Sequence, residues 1–150
     1  MSAGYTCDQW SSTSGSWAPA SLSLGSRRLG HVTWTTESGL YIIGGWNGGE
    51  KTSEKILADG SVEEGFALKY STSWSCAIPD RYTDSASVEV IITGGVDDNP
   101  TTDTLYTRVS LYNEAGWVRD LAPLGTGRRA HACTSYILGG KKVMTFRQTS

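Results

Sequence analysis

The sequence predicts an all-β chain built from repeated four-stranded antiparallel units. Composition is the first observation behind that prediction. Of 150 residues, 18 are Gly and 36 are Ser or Thr, and no stretch is rich in Ala, Leu, Glu and Lys. Such a balance favours strands and turns over helices. Self-similarity is the second. "LYIIGGW" (40–46) and "EVIITGGV" (89–96) place the pairs Gly44-Gly45 and Gly94-Gly95 50 residues apart. Arg28, His31 and Trp17 return as Arg128, His131 and Trp117, each 100 residues later. Independent marks thus agree on a period near 50 residues, within the range of repeat architectures.

Each element of the unit has a sequence reason. The first strand follows the arginines (about 29–36, 71–78 and 130–136). The second is an apolar run ending in Gly-Gly (39–45, 87–95). The third leads to an Asp-Gly or Asn-Glu-Ala-Gly turn (53–58, 104–112), and the fourth starts at Trp or Val (17–22, 62–68, 117–121). "YTCDQW" near the start reads as a third strand.

In the middle unit, "YSTSWSCAI" (70–78) is set against "GRRAHACTS". Trp74 then takes the histidine's place, Cys76 stands opposite Cys133, and "PDRYTD" (79–84) is a turn. The competing register, equating Arg81-x-x-Asp84 with Arg-x-x-His, leaves "SASVEVII" without turn residues. At the end, "KKVMTFRQTS" is a strand with Arg147-Gln148 where glycines belong, and Gly139-Gly140 is a hairpin turn. The expected organisation is a partial unit at 5–22, whole units at 29–68 and 71–122, and a partial unit at 130–146.

Four antiparallel strands in 40–50 residues describe a propeller blade. With the Gly-Gly pairs at 44–45 and 94–95, Tyr41, Trp17, Trp117 and the Arg-x-x-His starts, the chain resembles the kelch repeat from about residue 10 onward. Val62 where Trp is expected, and Trp74 for His, depart from the pattern. The resemblance implies a kelch-type β-propeller fragment whose contact surface is one rim. About three blades are present, and propellers close with four to eight. The remaining blades or self-association are therefore needed to close the ring.

Composition also narrows the function classes. The net charge is −2 with no basic block, which argues against nucleic acid as a partner. No apolar run approaches the length of a membrane helix. "MSAGYTCDQW" lacks the regions of a signal peptide, so the chain is intracellular or its true beginning lies elsewhere. Its three cysteines show no metal-ligand spacing and tilt a full-length parent toward an extracellular setting.

Structural roles come first for the repeat residues. Gly44, Gly45, Gly94 and Gly95 permit positive φ and close backbone approach. Trp17 and Trp117 are large enough to fill the wedge between diverging blades. Arg28 and Arg128 read as internal ion pairs or carbonyl clamps. Cys76 and Cys133 are the most plausible bridge, with buried free thiols as the alternative.

Alternation of strand direction puts the loops 46–53 and 96–103 on one rim with the links 23–28 and 123–129. Trp46, Asn47, Asp97, Asp98 and Asn99 thus stand beside Arg27 and Arg129 as candidate partner-binding residues. The expected function is a protein-interaction module without catalysis, cofactor or metal. Four alternatives stand against it. His31 and His131 suggest a copper radical oxidase on a kelch propeller, but two histidines are too few for a closed site. Cys133 near His131 suggests a thiol hydrolase, but no orienting group is evident. Trp46 could stack a sugar, and "VDDNP" could hold calcium, though it does not match an EF-hand loop.

Overall fold

The computed structural model describes residues 5–46, 51–80, 88–96, 104–138 and 141–148. Its strands are β1 (Tyr5–Ser11), β2 (Ser16–Leu24), β3 (Val32–Thr36), β4 (Gly39–Ile43), β5 (Ser53–Ile56) and β6 (Val62–Glu64), followed by β7 (Cys76–Asp80), β8 (Glu89–Thr93), β9 (Val109–Asn113), β10 (Gly116–Asp120), β11 (His131–Leu138) and β12 (Lys141–Gln148). No helix occurs among the described residues, so none there is long and apolar enough to cross a membrane.

The strands form two whole four-stranded sheets, β3-β4-β5-β6 and β7-β8-β9-β10, and two two-stranded ones, β1-β2 and β11-β12. All pairings are antiparallel. The chain is therefore all-β, with four-stranded antiparallel sheets as its repeating element.

Packing explains the apolar runs. One core cluster joins the two whole sheets, with Val32, Trp34, Tyr41, Ile43, Phe66 and Leu68 meeting Val90, Ile92 and Tyr112. Aromatic rings hold its centre: Trp34 stacks on Tyr41 at 5.2 Å, and Phe66 on Tyr112 at 5.6 Å. The other face of the β7-β8-β9-β10 sheet carries Ile78, Ile91, Val109 and Leu111 against Cys133, Met144 and Phe146 of β11 and β12. Covered on both faces, β8 is buried at every residue, which is why it reads as an unbroken apolar run. A Cys76–Cys133 disulfide ties β7 to β11.

The register of the middle unit differs by one residue from the sequence expectation. Thr72, not Ser71, stands where Arg28 and Arg128 do, because its carbonyl accepts the Gly45 N–H just as the Arg128 carbonyl accepts that of Gly95. Trp74 therefore matches Gly30 and Ala130, and Ser75 takes the histidine's place. Backbone conformation agrees: Gly30, Trp74 and Ala130 all have positive φ, at 66°, 55° and 47°. Cys76 falls opposite Thr93, the register place of Val32, one residue off that of Cys133.

Pro79 and Asp80, expected in a turn, belong to β7. That strand is the edge of its sheet, where a missing N–H breaks no ladder. The rest of that expected turn, and the Gly139-Gly140 turn, lie outside the described residues.

Candidate interaction rim

Each glycine of a pair does a separate job. Gly44 N–H donates to Thr52 within its own sheet, while Gly45 N–H reaches the Thr72 carbonyl at the next sheet. Gly94 and Gly95 repeat this with Arg108 and Arg128. Positive φ (64° and 99° in both pairs) directs the two N–H groups to different sheets. A side chain has no room: a Cβ on Gly44 would collide with the Thr72 carbonyl, and one on Gly94 would lie 2.5 Å from the Arg128 carbonyl.

A second backbone ladder runs across the sheets beside the pairs. Trp74 N–H donates to the Gly30 carbonyl, and Ala130 N–H donates to the Trp74 carbonyl, both at 2.7 Å. The ring of Trp74 covers Gly30, where a Cβ would sit 2.7 Å from it.

Arg28 is an internal clamp. Its side chain is 1% exposed and its Nε donates to Glu54 at 2.8 Å. The same guanidinium donates to the Gly44 and Thr52 carbonyls and to the Thr52 hydroxyl. Glu54 also accepts the Gly25 N–H, so its carboxylate is held from two sides. Arg128 occupies the matching place but has no carboxylate partner among the described residues. It borders a cleft of about 340 Å³ with Leu124, Met144 and Phe146.

The tryptophans expected to fill wedges do not do so. Trp17 is 69% and Trp117 42% exposed, because they begin the outer strands β2 and β10. Trp117 instead lies under Lys69, whose Nζ is 3.7 Å from the ring centre, and donates to Asp120. Asp120 also accepts hydrogen bonds from Ser110, Lys69 and Tyr70. Desolvation pushes its carboxyl up, but these bonds outweigh that and hold it well below the usual range.

A second polar knot joins the β3–β4 turn to the β9–β10 turn, where Ser38 and Tyr41 donate to Glu114. Burial and the Glu114 carboxylate raise Tyr41 to about 12. Both knots use their groups to hold neighbouring sheets together.

Of the rim candidates, Trp46 is 48% exposed and pairs with Leu29 through two backbone hydrogen bonds. Arg27 and Arg129 are exposed, and both have interactions within the protein. Asn47, Asp97, Asp98 and Asn99 lie outside the described residues. Trp74, which the sequence reading took for a histidine substitute, is also exposed, at 39%. Trp46 and Trp74 are hydrogen-bonded to adjacent residues, Leu29 and Gly30. Only the one-residue shift in alignment could have revealed Trp74.

The histidines do not converge. His131 is buried, with Nε2 2.8 Å from the Thr93 hydroxyl and Nδ1 without a partner. Burial, and then the charge of Arg128, lower its pKa. His31 is exposed. Cys133 is bonded to Cys76, so it is not a nucleophile in this state. Among the described residues, no group of three or more His, Cys, Asp or Glu side chains is placed to hold a metal.

No family model and no curated protein sequence matches the chain. Among solved structures, it is similar to that of YjhT, with a TM-score of 0.73 and 12% identity. The likeness covers 93% of this chain and 49% of that one, so the chain spans about half its length. At this identity the likeness concerns the fold.

Proposed function

We propose that the chain is a kelch-type β-propeller piece acting as a non-catalytic protein-interaction module. It contacts its partner through the rim bearing Trp46 and Trp74. The observation that carries this reading is the concentration of large exposed apolar groups on backbone that is itself fixed. Trp46, Trp74 and Leu29 are 48%, 39% and 52% exposed, yet each is held by an inter-strand or inter-sheet backbone hydrogen bond. Rigid, exposed tryptophans with arginines nearby are the residue types that dominate interface energy. The repeat histidines are separately engaged or exposed, which supports a binding role over a metal-radical one.

The test is quantitative crosslinking of the folded protein in its native extract, wild type against Trp46→Ala and Arg129→Ala. One specific protein should be lost with both variants. Stoichiometric copper by mass spectrometry would overturn the reading in favour of an oxidase. A glycan array that binds wild type and not Trp46→Ala would move the same rim to carbohydrate recognition.

A further inference from the structure

We infer that a second copy of this chain docks its β1–β2 pair along the free edge of β12, completing a four-stranded sheet at each of two equal interfaces. The inference rests on the propeller reading above but is independent of what the rim binds.

The two incomplete sheets are complementary halves. β11 pairs with β12 as β3 pairs with β4: Ala132 faces Arg147 as Val32 faces Ile43. They are first and second strands. β1 pairs with β2 as β9 pairs with β10: Trp10 faces Trp17 as Tyr112 faces Trp117. They are third and fourth strands. Two whole sheets and one made from the two halves fall short of the four to eight of a closed propeller, and a second copy would bring the halves together.

Charge agrees with that register. Glu54 precedes Ile56, the residue facing Val62, by two positions. Asp8 precedes Trp10, the residue facing Trp17, by the same two. Asp8 thus holds the place of Glu54, as Arg128 holds that of Arg28 and Gly125 that of Gly25. Where the whole unit is present, this trio forms the clamp of guanidinium, carboxylate and glycine N–H. In a single copy Asp8 is exposed, and Arg128 has no carboxylate partner among the described residues. Docking brings Asp8 of the second copy between Arg128 and the Gly125 N–H.

Apolar surface agrees as well. Trp10 is 50% exposed, whereas Tyr112 at the same place is 1% exposed. The register sets Trp10 of the second copy opposite Met144, where the cleft beside Leu124 and Phe146 is open. The backbone ladder also has free ends: among the described residues it stops at the Gly30 N–H and the Ala130 carbonyl. A second copy supplies one to the other.

Two copies hold six four-stranded sheets, within the usual range for closed propellers. They also match the length of the YjhT chain, of which one copy covers 49%. Each copy gives one edge and receives the other, so the assembly closes on itself.

Sedimentation of the whole chain, followed by charge reversal, tests this. Wild type should run at twice the chain mass, with Trp fluorescence shifting blue as dimer forms. Asp8→Arg and Arg128→Asp, each alone, should weaken the dimer about thirtyfold or more, as expected for a disrupted buried charge pair. Mixed together, the two variants restore both interfaces, one native and one reversed, and should recover a tight heterodimer.

A folded monomer at every concentration, or a dimer indifferent to both substitutions, would overturn the docking. If either variant fails to fold alone, Trp10→Ala provides an independent readout, since it too must weaken the dimer. Small-angle scattering separates the two readings: a rod-shaped dimer that still obeys the charge swap would sink the propeller and leave the edge pairing intact.

Discussion

Arg28 gives the sharpest stability prediction. Replacing it with Ala removes its ion pair to Glu54 and its hydrogen bonds to Gly44 and Thr52. Glu54, itself 8% exposed, keeps its hydrogen bond from the Gly25 N–H. Removing one partner of a buried pair costs about 3–5 kcal/mol, chiefly because the other charge stays buried and uncompensated. We expect Arg28→Ala to lose an amount in that range by urea unfolding, read as a lower midpoint at unchanged slope. Glu54→Leu combined with Arg28→Met should recover most of it, since both charges then leave together. A loss below about 1 kcal/mol, the worth of an exposed surface pair, would refute the assignment of Arg28 as a buried clamp.

Three further predictions follow from the same contacts. The Cys76–Cys133 bridge closes a separation of 57 residues, for which chain entropy gives about 4 kcal/mol; reductant or Cys133→Ala should lower the melting temperature, and unchanged melting would count against it. Gly94→Ala forces a side chain into φ 64° and against the Arg128 carbonyl, so it should cost more than about 1–2 kcal/mol in chemical denaturation, whereas Gly125→Ala, with open space around its Cβ position, should cost little. His131 has a pKa lowered from 6.5 by burial; the unfolded chain therefore takes up its proton first, and stability should fall as pH drops below about 6.5 and level off below the depressed value. His131→Asn should flatten that part of the stability profile, and an identical profile would show that the histidine does not carry it.

Much of the fold could be read from residue types because the repeat is written in them. Gly44-Gly45 and Gly94-Gly95 mark a backbone requirement that few other residues satisfy, so spacing alone located the second strands. Arg28 was readable as a clamp because an arginine recurring with the repeat suits a fixed internal acceptor. The one-residue slip at Trp74 has a physical cause. A left-handed backbone suits Gly30, but the same conformation is imposed on Trp74 and Ala130 by inter-sheet hydrogen bonds. Nothing in a tryptophan or alanine announces it. Pro79 misled for the opposite reason: proline signals a turn, but an edge strand tolerates it equally well. Trp17 and Trp117 were assigned to the interior on size, whereas their position on outer strands decides their exposure.

The ladder linking Gly30, Trp74 and Ala130 uses only main-chain groups. Any residue type able to take up the backbone angle can therefore serve there, and a glycine, a tryptophan and an alanine all do. Joining one unit to the next asks for no matched pair of side chains at that seam. A duplicated unit would carry its own donor and acceptor from the moment it was copied. Its remaining sequence could then drift toward new rim contacts without first having to re-establish this link to its neighbours.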